Sequence, residues 1–137
     1  MQESGDRRVL HPAGWKAGSG YSNGIVASGS TIFVGGQIGW NADQEFETDD
    51  LVEQIRRALQ NVLAVLAEAG AGPEHIVRLN WYVTDKREYK ERRKEIGAAY
   101  RSVIGRHFPA MTLVEVSGLV EDAAKVEIEA TAVLSGP

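Results

Sequence analysis

Apolar residues recur along the chain with two different periods. Leu51, Ile55, Leu59, Val62, Leu63, Leu66 and Ala69 stand three or four apart, the spacing of one face of an α-helix over Leu51–Ala69. Asp50 with Glu53 supplies a capping pair at its start, and Gly70 with Gly72-Pro73 stops it. A period of two takes over at Val77, Leu79, Trp81 and Val83, which alternate with Arg78, Asn80, Tyr82 and Thr84. That alternation predicts a strand with one apolar and one largely polar face. Asp85 with Glu88 opens a second helix running to about Ile104, with Tyr89, Ile96, Tyr100 and Val103 as a narrower stripe. Met111–Val116 and Val126–Leu134 predict two further strands. Nearer the start, Ile25–Ser28 and Thr31–Gly36 flank Gly29-Ser30, a hairpin signal, and residues 37–50 read as loop.

The predicted order is β-β-α-β-α-β-β, an α+β domain with a mixed sheet of five or six strands and two helices on one face. Residues 1–17 show no period and read as an irregular N-terminal arm on a single domain, 18–137. Trp15 and Tyr21 should anchor this region, because large rings seek a packing site. The sheet face left without helices would carry Asn80, Tyr82, Thr112, Val114, Val116, Glu127 and Thr131. That mixture suits neither bulk water nor a core, and it predicts a homo-oligomer whose subunits pack around this face and leave polar pockets between them.

Composition narrows the class. The 137 residues are 43% apolar and 25% charged, the balance of one folded globular domain. The net charge of −4 gives no global field to hold a polyanion. Without cysteine there are no disulfides, thiolate metal sites or Cys nucleophiles. No apolar segment approaches a membrane span and no leader-like run opens the chain, so a soluble cytoplasmic protein with no membrane partner is expected.

Candidate chemistry is sparse. His11, His75 and His107 are scattered, with no ligand-spaced His/Asp/Glu cluster, so no metal is expected. His75 reads as a surface residue, and His107, beside Phe108-Pro109, is the only histidine near a plausible cleft. Eight Lys/Arg lie between Lys86 and Arg106, but Glu88, Glu91 and Glu95 interleave with them as on a solvated helix face, which argues against nucleic acid. Glu127 and Glu129 share one side of an otherwise apolar strand. A carboxylate there needs a partner, for which Arg78 is available, or it has work to do as a base.

Five segments in order and spacing carry a resemblance: GGQIGWN (35–41), the helix 51–71, YVTD (82–85), FPAMTLVEV (108–116) and VEIEATAV (126–133). Together, over roughly residues 18–134, the chain resembles the Rid (YjgF-like) family of enamine/imine deaminases, also called L-PSP endoribonucleases or translation inhibitors. The resemblance implies a chorismate-mutase-like subunit and a homotrimer with clefts between subunits. There, reactive enamines or imines are hydrolysed to keto acids and ammonia, with no metal or organic cofactor.

By the same resemblance, Glu127 corresponds to the carboxylate that positions the attacking water, and Glu129 is structural. Tyr21, Gly36, Gln37, Pro109 and Ala110 match positions lining the substrate cleft. Met111 is the departure. The deaminating branch carries arginine there, in an F-P-A-R pattern, to grip the substrate carboxylate. A thioether has no charge, and the lost contact is on the order of a few kcal/mol. Leu113 is apolar where relatives carry a small residue, and Trp40 adds bulk. The expected pocket is thus more apolar than a 2-aminoacrylate deaminase's, with Arg78, Arg93, Arg106 or His107 as alternative cations. Three readings follow: a hydrolase of a small imine, enamine or related metabolite other than a simple 2-imino acid; a non-catalytic metabolite-binding or regulatory trimer; and an endoribonuclease.

Overall fold

The computed structural model describes residues 3–4 and 7–135. Strands β1 (Glu3–Ser4), β2 (Arg7–Leu10) and β3 (Gly24–Ala27) form a small antiparallel sheet. Strands β4 (Ser30–Ile38), β5 (Ile76–Val83), β6 (Ala110–Glu115) and β7 (Val126–Leu134) form the main sheet in the order β4-β7-β5-β6. Strand β7 runs antiparallel to both neighbours while β5 and β6 are parallel, so the sheet is mixed. A parallel pair needs a crossover, and helices α2 (Lys86–Glu91) and α3 (Arg93–Val103) provide it. Helix α1 (Leu51–Ala67) packs on β4 and β7 and against α3.

The expected α+β architecture is present, with three differences in detail. The first concerns the strands. The main sheet has four, and the Gly29-Ser30 hairpin does not form: β3 pairs with β2 and β4 with β7. Gly29 (φ 141°) is where the chain crosses between sheets, and a Cβ there would collide with the Leu134 carbonyl. The second concerns the arm. Residues 1–2 and 5–6 lie outside the described residues, but 7–10 form strand β2 instead of irregular chain. The Arg7 guanidinium orders it by donating to the backbone carbonyls of Glu74, His75 (2.9 Å) and Val133 (3.2 Å). Trp15, expected to anchor this region, is 60% exposed.

The third difference is a break in the second helix at Arg92 (φ −112°, ψ 25°). The break turns this side chain to reach Asp50 (2.8 Å), Glu88 (3.2 Å) and Glu95 (3.0 Å). Asp50 is also the N-cap of α1, accepting from the Glu53 N–H at 3.0 Å. One guanidinium therefore fastens the start of α1 to both short helices, a wider role than the Glu88–Arg92 helix pair the spacing suggests.

The core follows from the periods already described. Ile55, Leu59, Val62 and Leu66 of α1 meet Leu79, Val83, Val126 and Ile128 of the sheet, with Ile96 and Tyr100 of α3. Each such side chain taken out of water contributes about 1.5–3 kcal/mol before entropy is counted. Gln54 is buried among them and is satisfied on every side: its amide donates to Thr48 O and Ala123 O and accepts from the Lys125 N–H. It ties the loop before α1 to the loop before β7.

Candidate functional site

The helices cover one face of the main sheet, and the register assigns every other side chain to the opposite, open face. Tyr82 lies beside Glu127 and Val114, and Asn80 beside Glu129 and Thr112. Phe33, opposite Thr131, is 78% exposed on the same face. The two glutamates differ in their surroundings. Glu129 Oε1 accepts from the Tyr82 hydroxyl at 2.6 Å and from the Asn80 amide at 3.1 Å. The hydrogen bond to Glu129, then burial and the charges of Glu129 and Glu127, push the Tyr82 phenol above its usual range, so it remains a donor. Arg78, available to pair with a glutamate, donates instead to Asn80 Oδ1 (3.2 Å) and Thr112 Oγ1 (3.3 Å) and meets Glu129 only through Asn80.

Glu127 has no hydrogen-bond or ion-pair partner among the described residues. Its side chain lies across the backbone of Gly36: a Cβ at position 36 would clash with Oε2 and stand 2.7 Å from Cδ. The β4–β7 register shifts between Val34 and Gln37, so Gly35-Gly36 forms a bulge beneath the carboxylate. The Gln37 amide folds back to the Gly35 carbonyl at 3.2 Å. The structure therefore brings Glu127, Gly36 and Gln37 together at the end of β4.

A second group gathers on the helix side, beyond the edge strand β6. The segment 16–21 lines, together with α3, β5 and β6, a groove of about 960 Å³. Met111 and Leu113 line it from β6, Trp81 from β5, and Tyr21 from that segment. The segment is clipped in place: the Ser22 hydroxyl donates to Phe108 O (2.5 Å), and its N–H donates to the carbonyl of buried Pro109 (3.1 Å). Ser22 also bridges to Ala110 as a short parallel pair. Tyr100 stacks on Phe108 (centroids 5.7 Å apart) and donates to His107 O at 2.6 Å, which builds the apolar wall.

Three cations also line this groove, Lys16 of the segment 16–21 and Arg93 and Arg101 of α3, and neither arginine has a carboxylate partner among the described residues. Arg93 is one of the alternative cations named from sequence, whereas Arg101 was missed. The legible signal for it is the four-residue spacing of Arg93, Gly97 and Arg101, which places all three on one helix face. The other named cations lie elsewhere: Arg78 is engaged on the open face, and Arg106 is not among the groove residues. His107 donates Nε2–H to Ile76 O at 2.8 Å, a structural bond, and burial holds its pKa below the usual value. His75 accepts from the Gly72 N–H and caps a short turn. Trp40 is not among the groove residues; it follows β4 and packs on Phe46 with centroids 5.9 Å apart.

The register yields a further geometric fact. Met111 is level with Leu79 on the helix side, and Glu127 is level with Tyr82 on the open side. Within one chain, the residue at the arginine position and the carboxylate lie on opposite faces of the same sheet.

Among the described residues, no helix is long and apolar enough to cross a membrane, and no cluster of three His, Asp or Glu could hold a metal ion. Comparison with known proteins matches residues 13–134 to the endoribonuclease L-PSP family model. The 2-iminobutanoate/2-iminopropanoate deaminase of Salmonella typhimurium is 33% identical over 111 residues, covering 79% of this chain and 83% of that protein. Among solved structures, the Rid-family protein YyfB of Yersinia pestis, itself of unknown function, aligns with a TM-score of 0.80 at 33% identity. That alignment covers 94% of this chain and 99% of YyfB. TdcF of E. coli with bound serine aligns at 0.68 and 30% identity over 87% of this chain and 91% of its own. With this match across nearly the whole domain, the chain belongs to the endoribonuclease L-PSP family, the Rid (YjgF-like) proteins.

Proposed function

We propose that this protein is a cofactor-independent hydrolase of a small imine or enamine, working in clefts between the subunits of a homotrimer. The observation that carries the reading is the contrast between the two open-face glutamates. Glu129 accepts hydrogen bonds from Tyr82 and Asn80, whereas Glu127 has no partner among the described residues and sits over a glycine bulge. A carboxylate so placed can take a proton from water as the water adds to the imine carbon. It can return that proton to the nitrogen to give a carbinolamine, then pass the carbinolamine hydroxyl proton to the same nitrogen as the C–N bond breaks, leaving a carbonyl compound and ammonia. The imine carbon is already electrophilic, so holding the substrate and placing the water account for most of the catalysis. Because Glu127 and Met111 occupy opposite sheet faces, a cleft containing both takes Glu127 from one subunit and the groove of Tyr21, Met111 and Leu113 from its neighbour, with Pro109 and Ala110 holding Ser22 at the groove's edge. Gly36 and Gln37 accompany Glu127. Trp40, packed on Phe46, is assigned to the loop beside it and not to substrate contact.

Met111 argues against simple 2-imino acids as the preferred substrates, since nothing at that position can grip a carboxylate. The deaminase among the relatives makes imine chemistry the reference for comparison. The ribonuclease name of the family is disfavoured by charge, because a chain of net charge −4 with open-face carboxylates repels a phosphate backbone. A second reading, binding without turnover, draws on the serine-bound neighbour. A metabolite that raises the Tm without being consumed would favour it. The deciding experiment is Glu127→Gln assayed on imines generated in situ. Loss of kcat by about 10²-fold or more is expected for removal of a general base, and an unchanged rate overturns the assignment.

A further inference from the structure

The groove beside β6 carries more positive charge than its strand sequence suggests. Arg93, Gly97 and Arg101 follow one another at four-residue steps along α3, and all three line it. Glycine inside a helix is unfavourable relative to alanine. Here the bare position is occupied from above: a Cβ at Gly97 would stand 3.2 Å from Arg101 Nη1, so the guanidinium lies against the helix where a side chain would have been. Lys16 lines the same groove from the segment 16–21. The apolar lining is Met111, Leu113 and Phe108, with Ile96 of α3 itself.

A polar group inside the apolar part also lacks a partner. Trp81 lines the groove and is 4% exposed, and its indole Nε1–H is buried with no acceptor among the described residues. A buried donor left unmatched is costly, and a ligand oxygen or nitrogen would match it.

We infer that this groove binds an amphiphilic organic anion, its acid group held by Arg93 and Arg101 of α3 and its bulky apolar body seated on Met111 and Leu113. The site thereby moves the anion contact from the strand to the helix. This lengthens the ligand it selects and replaces a short acid by one with an aromatic or branched body. The inference rests on the reading that the groove is the substrate side of the cleft, but it is tested by binding alone.

The test is calorimetric titration of the full chain with 3-phenylpropanoate, its neutral amide 3-phenylpropanamide, and propanoate. The expected result is that the aromatic acid binds at least tenfold tighter than either of the others, and that added salt weakens it. The double variant Arg93→Ala/Arg101→Ala, both sites being exposed, should keep the native far-UV spectrum and bind the acid no better than the amide. Gly97→Leu, which fills the space under the Arg101 guanidinium, should weaken the acid while leaving the fold intact. Equal affinity for acid and amide, retained acid affinity in the double variant, or no binding of any of the three overturns the inference. The two proposals fail separately. A chain that binds the acid as described but hydrolyses no imine sinks the hydrolase reading alone. A chain that hydrolyses imines but binds the acid no better than the amide sinks this inference alone.

Discussion

At the scale of single residues, the decisive contact joins a glycine to a carboxylate. Gly36 carries no side chain because Glu127 occupies that space: a Cβ would stand 2.7 Å from Cδ and 3.0 Å from Cγ, as well as clashing with Oε2. The obstacle is the far end of a flexible side chain, so Gly36→Ala should fold and unfold much as the parent does. Its carboxylate, however, must swing away from the bulge. A kcat at least tenfold lower, with a native circular dichroism spectrum and little change in KM, is the expected outcome of steady-state assays on in situ imines. An unaltered kcat would show that the present position of the carboxylate is irrelevant to the reaction. That Glu127 stands on the sheet face away from the helices was legible from the strand pattern, but its contact with Gly36 was not. That relation depends on a bulge shifting the β4–β7 register, and a bulge of two glycines leaves no side-chain pattern to read. The division between Glu127 and Met111 was legible, since the alternation put Thr112 and Val114 on the open face with Glu127 and so left Met111 on the helix side, as the register has it.

At the scale of elements, strong periods translated directly into structure. The last strand runs Val126–Leu134 as its alternation predicts, and α1 starts at Leu51 behind the expected Asp50 cap. Where a distant group dictated the backbone, sequence reading fell short. Arg92 breaks the second helix to reach Asp50, and Arg7 orders β2 through carbonyls that lie far along the chain. The turn between α3 and β6 is also held from a distance, through His107 and the Ile76 carbonyl at the entry of β5. Burial, the largest influence, lowers the His107 pKa from 6.5. A histidine with a depressed folded pKa contributes stability that is fully present above its unfolded value. That stability is lost as pH falls through the folded value, because the unfolded chain takes up the proton first. Denaturant unfolding should therefore show stability declining as pH drops below about 6.5. His107→Asn should flatten that decline while lowering stability at pH 8. Asp50, held below 3.8 first by its bond to Arg92, contributes its own loss only at more acidic pH, which keeps the two windows apart. Identical slopes for parent and variant between neutral pH and pH 5 would remove His107 from this role.

At the scale of the whole molecule, the open face of the sheet is what the proposed trimer would cover. It presents Phe33 and Val114 to water next to the Glu129 network and Glu127, a surface too apolar to remain bare and too polar to form a core. Three copies closed around it would shield Phe33 and Val114 and bring the Glu127 of each subunit to the groove of the next. Sedimentation of the parent should then give three times the 14.9 kDa of one chain. A stricter check separates a shared cleft from one confined to a single chain. Glu127→Gln keeps its groove but loses the carboxylate. Met111→Trp keeps the carboxylate but fills the groove. Each alone should be inactive. Mixed one to one, unfolded and refolded together, they should regain activity in about a quarter of the clefts, wherever a native groove meets a native Glu127 across an interface. Activity that stays at the level of the separate variants would mean that groove and carboxylate must come from the same chain. The opposite-face geometry of Met111 and Glu127 makes that arrangement the harder one to build.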